Sequence, residues 1–258
     1  MPQKIPKTPE DNDLEVVKKH LRLLWAGHDE KPVRPGPRPR ITVDDVVGTA
    51  IERAGSAGLS GLTMRDLAAD LGVKTMTLYA HVPDKKSLLA LMSDHVFDSS
   101  ARSLPHSGAW RDRVRAVIDD TFQMYLSHDW LSSIHTEQPV LGPGFLGRYE
   151  RQLECLQGLG LSDITLDATL TFLNNFARTA ALDVADRETL NNSGPDWWQA
   201  AGPVLEELVS PNDYPLATRV GTSAGQAQGG AYNARSNYAF GVDRVLDGLA
   251  VLVDRPLP

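Results

Sequence analysis

The stretch Leu62–Leu89 reads LTMRDLAADLGVKTMTLYAHVPDKKSLL, and its reading decides the fold. Thr63 stands where an N-cap belongs, ahead of a short helix whose apolar face is Leu67, Ala68 and Leu71. The small side chain of Ala68 suits a place where two helices cross closely. Gly72 follows at once, where a left-handed backbone is easy only for glycine. Val73 closes the corner, and Leu78 brings a second helix back to the same core. A short support helix, a turn of three or four residues and a second helix presented outward make a helix-turn-helix.

The second helix is ill suited to a core. Lys74, Thr75, Met76, Thr77, Tyr79, Ala80 and His81 make it polar and aromatic around most of its circumference, leaving Leu78 and Val82 to be buried. Thr and Lys suit phosphate oxygens, Tyr a phosphate or a base edge, and Met or Ala a thymine methyl. Lys85 and Lys86 follow Pro83-Asp84, where Asp84 can cap the next helix and present its free N–H groups to a phosphate. The plainer alternative is a solvated helical hairpin with no partner.

Working outward, Thr42, Asp44 and Asp45 begin a further helix that Gly58 ends, with Val46, Val47, Ala50, Ile51 and Ala54 as its buried stripe. Amphipathic stretches continue over about 85–99, 110–128, 144–158, 163–187, 196–209 and 232–253, and strand-like alternation is scarce. The fold class is therefore all-α: a homeodomain-like three-helix domain over 41–99, then a helical domain over 100–258. Ser210–Gly230, rich in Gly, Ser, Pro and Ala, reads as a mobile loop, and Gly142-Pro143-Gly144 as a turn. Residues 1–40 form an extension with a short amphipathic helix near 12–26 and a proline-stiffened segment after it. That segment carries Lys31, Arg34, Arg38 and Arg40 without an acid from Lys31 onward. Such a narrow cationic strand fits a minor groove about 6 Å wide, or remains a solvated linker.

Charge and composition bound the function. The net charge of −7 is unevenly spread: residues 1–103 carry 15 basic against 14 acidic side chains, and the remainder 11 against 19. A locally basic surface is what nucleic acid requires, so the acidic whole does not exclude it. No apolar run approaches the roughly 20 residues of a spanning helix, and the first thirty residues lack the apolar core of a secretory signal. With a single cysteine, Cys155, among leucines, these features lead us to expect a cytoplasmic protein without membrane contact. There is no phosphate-cradling glycine loop, nucleophile elbow or metalloprotease helix, and we expect neither an enzyme nor a cofactor. His128 and His135 are seven apart, but Asp129-Trp130-Leu131 interrupts a shared face, so no metal is expected.

Aromatic and polar residues gather in the C-terminal region as candidates for a small-molecule pocket: Phe122, Tyr125, Trp130, His135, Tyr149, Phe172, Asn175, Phe176 and Arg178. Asn174, Asn175 and Arg178 are the sharper clue, since polar groups within an apolar helix need partners. Otherwise they face solvent or a second subunit, and the aromatics are core. The apolar stripes of 163–187 (Leu166, Leu170, Leu173, Ala177, Ala180, Val184) and 232–253 (Phe240, Val245, Leu246, Leu249, Val253) serve either the subunit's own core or a dimer.

The run T-M-R-D-L-A-A-D-L-G-V-x-x-x-T-L-Y-x-H-V-x-x-K-x-x-L-L from Thr63 to Leu89 resembles the N-terminal domain of the TetR family. Tyr238–Leu249, Y-x-F-G-V-D-R-V-L-D-G-L, resembles the last helix of actinobacterial members with a tetracycline-repressor-like C-terminal domain. The resemblance implies a homodimer that binds a double-stranded, pseudo-palindromic operator as a repressor. It further implies that a small hydrophobic effector, an antibiotic or a metabolite, releases the DNA. By motif match, Lys74, Thr75, Met76, Thr77, Tyr79, His81 and Lys85 would face DNA, with Thr63 and Arg65 from the support helix. Ala80 departs from relatives that carry a large aromatic there. It also favours a four-helix dimer interface for the two C-terminal stripes. A DNA-binding activator or architectural regulator without effector response is the alternative.

Overall fold

In the computed structural model, residues 9–26, 28, 41–134, 139–192, 197–228 and 232–254 are described, and every regular element among them is helical. The described residues fall into two compact units, one within 1–109 and 127–157, the other within 110–126 and 158–258.

The first unit is built on helix α2 (Val43–Ala57), whose start is fixed by a reciprocal capping box: the Asp45 backbone N–H donates to Thr42 Oγ1 at 3.1 Å, and the Thr42 N–H donates to Asp45 Oδ2 at 2.8 Å. Val46, Val47, Ala50 and Ala54 form its buried stripe, and Gly58 ends it at a φ of 66°. Helix α3 (Met64–Asp70) is capped by Thr63, whose hydroxyl accepts from the Asp66 N–H. Gly72, at a φ of 64°, turns the chain into α4 (Thr75–His81). Arg53 of α2 fastens α3 from outside: Nε donates to the Gly61 carbonyl at 2.9 Å, and a terminal nitrogen pairs with Asp70 at 2.6 Å. Helix α5 (Lys85–Ser99) starts on Asp84, whose carboxylate accepts from the Ser87 N–H at 2.6 Å.

Helix α7 (Pro143–Leu156) packs along α5. The Gly142-Pro143-Gly144 segment, expected as a turn, instead starts this helix, with Gly142 as N-cap and Pro143 at the first helical position, where a missing N–H is no loss. Asp94 of α5, only 7% exposed, accepts from the N–H groups of Gly144 at 3.1 Å and Phe145 at 2.9 Å, so the cap comes from another helix. A side chain at Gly144 would put its Cβ 2.0 Å from the Asp94 carbonyl oxygen, so glycine is what allows this approach. Burial pushes the Asp94 carboxyl above the ordinary carboxylate range against the pull of those two N–H bonds. Cys155 of α7 is fully buried, as a small packed hydrophobe. Helix α1 (Pro9–Leu24) packs on α5, and beyond its end the indole N–H of Trp25 donates to the Leu141 carbonyl at 3.0 Å.

The second unit comprises most of α6 (Trp110–Ser127), with α8 (Asp163–Asn192), α9 (Trp197–Leu208), α10 (Pro215–Gln228) and α11 (Ala234–Asp254). Its core is Val114, Val117 and Ile118 of α6, Leu170, Leu173, Ala177, Ala181 and Val184 of α8, and Val242, Leu246 and Leu249 of α11. Helix α10 corrects the expectation of a loop over Ser210–Gly230. Pro215 occupies its first position, and Ala, Gln, Leu and Arg carry it onward despite three small residues in a row at Thr222–Ala224. It buries no residue, so no apolar stripe marked it in the sequence.

Candidate nucleic-acid interface and ligand-binding region

Helix α4, which follows the turn from α3, is held by two deep anchors. Leu78 and, just beyond the helix, Val82 are fully buried. Met76 is 77% exposed and Tyr79 42%, with Thr77 and Ala80 exposed beside them. Thr75 and His81 are half-buried at the two ends, and Lys74 precedes the helix in an extended, exposed conformation. Met76, Thr77, Tyr79 and Ala80 therefore share one outward surface, as the spacing around Leu78 predicts. Thr63 and Arg65 lie exposed at the start of α3, but the Thr63 hydroxyl is engaged in capping, which leaves Arg65 as the longer reach. Lys85 is exposed, and its ammonium donates to the Leu59 carbonyl at 3.1 Å. An ammonium has three donors, so this bond still leaves it able to meet a phosphate. Arg34, Arg38 and Arg40 lie outside the described residues.

The nine candidate ligand residues divide between the units. In the second unit, Phe122 stacks on Tyr238 with ring centroids 3.9 Å apart, and Phe176 lies on Tyr238 at 6.1 Å. Tyr238 was not among the candidates, although it opens the C-terminal motif. Its hydroxyl donates to Asp119 Oδ1 at 2.6 Å, and burial, reinforced by that carboxylate, drives its pKa well above the ordinary phenol value. The stack joins α6, α8 and α11, and Gly241 lets it close: a Cβ there would lie 2.7 Å from the Phe176 ring. Arg178, exposed, lies over the ring of Tyr125 at 5.7 Å. Asn175 is exposed, whereas Asn174 turns inward and accepts from the Thr121 hydroxyl at 2.8 Å.

Phe172 is 53% exposed and borders an apolar cleft of about 570 Å³ between α8 and α11, with Thr165, Ala168, Val245, Gly248 and Leu252. On the same two helices Ile164, Phe240 and Val251 are 85, 63 and 62% exposed. The sequence reading buries Phe240; in the subunit it lies outside, beneath the Arg244 guanidinium at 5.1 Å.

In the first unit, Tyr149 stacks on Phe145, and Trp130, 3% exposed in a 3-10 turn over Asp129–Ser133, meets His128 edge-on. The buried indole N–H of Trp130 has no acceptor among the described residues. His135 lies outside the described residues. Among the described residues, no three His, Cys, Asp or Glu side chains converge as a metal site.

The sequence matches the tetracyclin repressor-like C-terminal domain family over residues 103–253. It is 33% identical over 242 residues to the HTH-type transcriptional repressor DrrR1 of Streptomyces coeruleorubidus, covering 92% of this chain and 87% of that protein. The chain belongs to the TetR family. Structurally it is similar to ActR of Streptomyces coelicolor, a TetR family protein. The apo form aligns with a TM-score of 0.70 at 24% identity over 85% of this chain and 99% of that one. The form solved in complex with actinorhodin gives 0.69 at 25% identity, over 83% and 98%. As a TetR family member the chain has the all-helical architecture of an N-terminal helix-turn-helix followed by a helical C-terminal domain, and its relatives are transcriptional regulators. No described helix is long and apolar enough to cross a membrane.

Proposed function

We propose that this TetR family protein is a repressor that binds a pseudo-palindromic operator as a homodimer and leaves it when a small hydrophobic effector binds. The observation that carries the reading is α4: it is anchored by Leu78 and Val82 and turns Met76, Thr77, Tyr79 and Ala80 outward. A surface of that chemistry on a short protruding helix fits the edges of bases in a major groove. Residues 41–99 would form the DNA-binding domain, 100–258 the part that binds effector and dimerises, and 1–40 an added extension whose Arg34, Arg38 and Arg40 enter the adjacent minor groove. The protein would act in the cytoplasm.

Homodimerisation is supported by the exposed apolar surface of α8 and α11 around Phe172 and Phe240. A face of this kind on a soluble subunit marks an interaction site, and two-fold pairing of α8 and α11 would make a four-helix contact. Effector binding is supported by the buried N–H of Trp130, which has no acceptor among the described residues and which an acceptor on a ligand would complete. ActR was solved with actinorhodin bound, which supports the same class of response here.

Selection of bound fragments from the host genome, followed by footprinting, tests the reading. The expected result is one two-fold symmetric site with half-sites about one helical turn apart, and release on adding a ligand found by thermal-shift screening. A ligand at 100 times its dissociation constant stabilises the protein by about 2.7 kcal/mol, which such a screen detects. Sequence-independent binding would refute the operator, and a footprint that no stabilising ligand disturbs would favour the regulator without effector response.

A further inference from the structure

Helix α1 precedes the helix-turn-helix, and the position of its basic residues is informative. One side of α1 packs on α5; the adjoining side borders a cleft of about 630 Å³ whose far wall is the end of α4, with Tyr79, Ala80 and His81, and the start of α5. Lys19 and Arg22 of α1 and Lys86 of α5 line this cleft, all three exposed. Among the described residues that line it, the acid is Asp84, whose carboxylate accepts from the Ser87 N–H. Burial of Asp84 works against ionisation, but the Ser87 bonds and the charges of Lys19 and Lys86 bring its pKa below the ordinary value, so both cations bear on this wall. Lys18, on the same helix, pairs with Glu15 at 3.2 Å.

Among the described residues that line the cleft, Lys19 and Arg22 outnumber the one carboxylate, which is already engaged, and Tyr79 lies on both the cleft and the outward surface of α4. A duplex seated on α4 brings a sugar-phosphate strand alongside this end of the helix. We infer that Lys19 and Arg22 of α1 form a phosphate-binding flank that extends the DNA interface beyond α4. The inference rests on reading α4 as the recognition helix. Contacts of this kind hold the duplex in register without reading sequence.

The test uses the full-length chain, with Lys19→Gln and Arg22→Gln combined and Tyr79→Ala as a second variant. Each is measured on the selected operator duplex and on a random duplex of equal length, over a range of salt. The double variant should bind both duplexes tenfold or more weakly, by similar factors. Its salt slope should fall by about 0.9 per lost contact, up to roughly 3.6 for the four side chains of a dimer. Affinity and slope equal to wild type, while Tyr79→Ala loses the operator, would overturn the flank and leave the recognition helix standing. A loss confined to the operator, with the slope unchanged, would also overturn it, since α1 would then act only by propping α4. A wild-type protein with no preference for the operator duplex would remove the recognition helix and the flank together.

Discussion

Tyr79 and Trp130 are both aromatic residues carrying a polar group, and their surroundings give them opposite roles. Tyr79 stands 42% exposed on α4, outside the buried core. Tyr79→Ala should therefore lower operator affinity tenfold or more, the loss of about 1–3 kcal/mol expected for one such contact. The melting temperature should stay within a degree or two of wild type; an unchanged affinity in fluorescence anisotropy would show that α4 does not read DNA through this ring. Its outward position was legible because α4 has only Leu78 and Val82 to bury. Trp130 is closed off from solvent with an indole N–H lacking an acceptor among the described residues. Trp130→Phe keeps most of the packing and deletes that donor. It should leave DNA binding intact and weaken the effector response about tenfold, as read by the ligand concentration that releases half the operator. Equal release curves would exclude the indole as an effector contact. No sequence feature separates Trp130 from Phe122 or Phe176, because the Tyr238 stack that fills their neighbourhood is made by three helices distant in sequence.

Among the elements, α7 shows how a helix start can depend on another helix. Its first N–H groups have no side-chain cap from Gly142, and Asp94 of α5 supplies it. Asp94→Ala leaves two buried donors unsatisfied and should destabilise the protein by about 2 kcal/mol. The effect depends on pH in a defined direction. Burial raises the Asp94 carboxyl above 3.8 in the folded protein, so the folded state holds the proton more tightly than the unfolded chain. The contribution of Asp94 is therefore most favourable below 3.8 and declines as pH rises through the folded value. Thermal melts should show the gap between wild type and Asp94→Ala narrowing from pH 4 toward pH 7, and a widening gap would contradict the assignment. The amphipathic pattern over about 144–158 predicted α7, but glycines at 142 and 144 disguised its start. Helix α10 escaped notice for a related reason: an element that buries nothing leaves no apolar period to read.

For the whole molecule, the deciding question is what covers α8 and α11. Phe172 borders the cleft between them, and Phe240 lies under Arg244, which lines the same cleft, so both rings are exposed on the α8 and α11 surface. In a two-fold contact each ring is used twice, so four phenylalanines are buried per dimer. Because each ring is already partly buried in the subunit, completing its burial contributes about 1–2 kcal/mol, and four such rings are enough to decide whether two subunits stay together at micromolar concentration. Because both side chains are more than half exposed in the subunit, replacing them does not open its core. Phe172→Glu combined with Phe240→Glu should keep the wild-type helix content by circular dichroism and sediment as a monomer. Phe172→Leu with Phe240→Leu should remain dimeric, since apolar area is largely retained. The monomer should also lose most of its operator affinity, because one α4 reads one half-site and the second no longer adds to it. A glutamate variant that still sediments as a dimer would place the subunit contact on another surface and leave this apolar face without its partner.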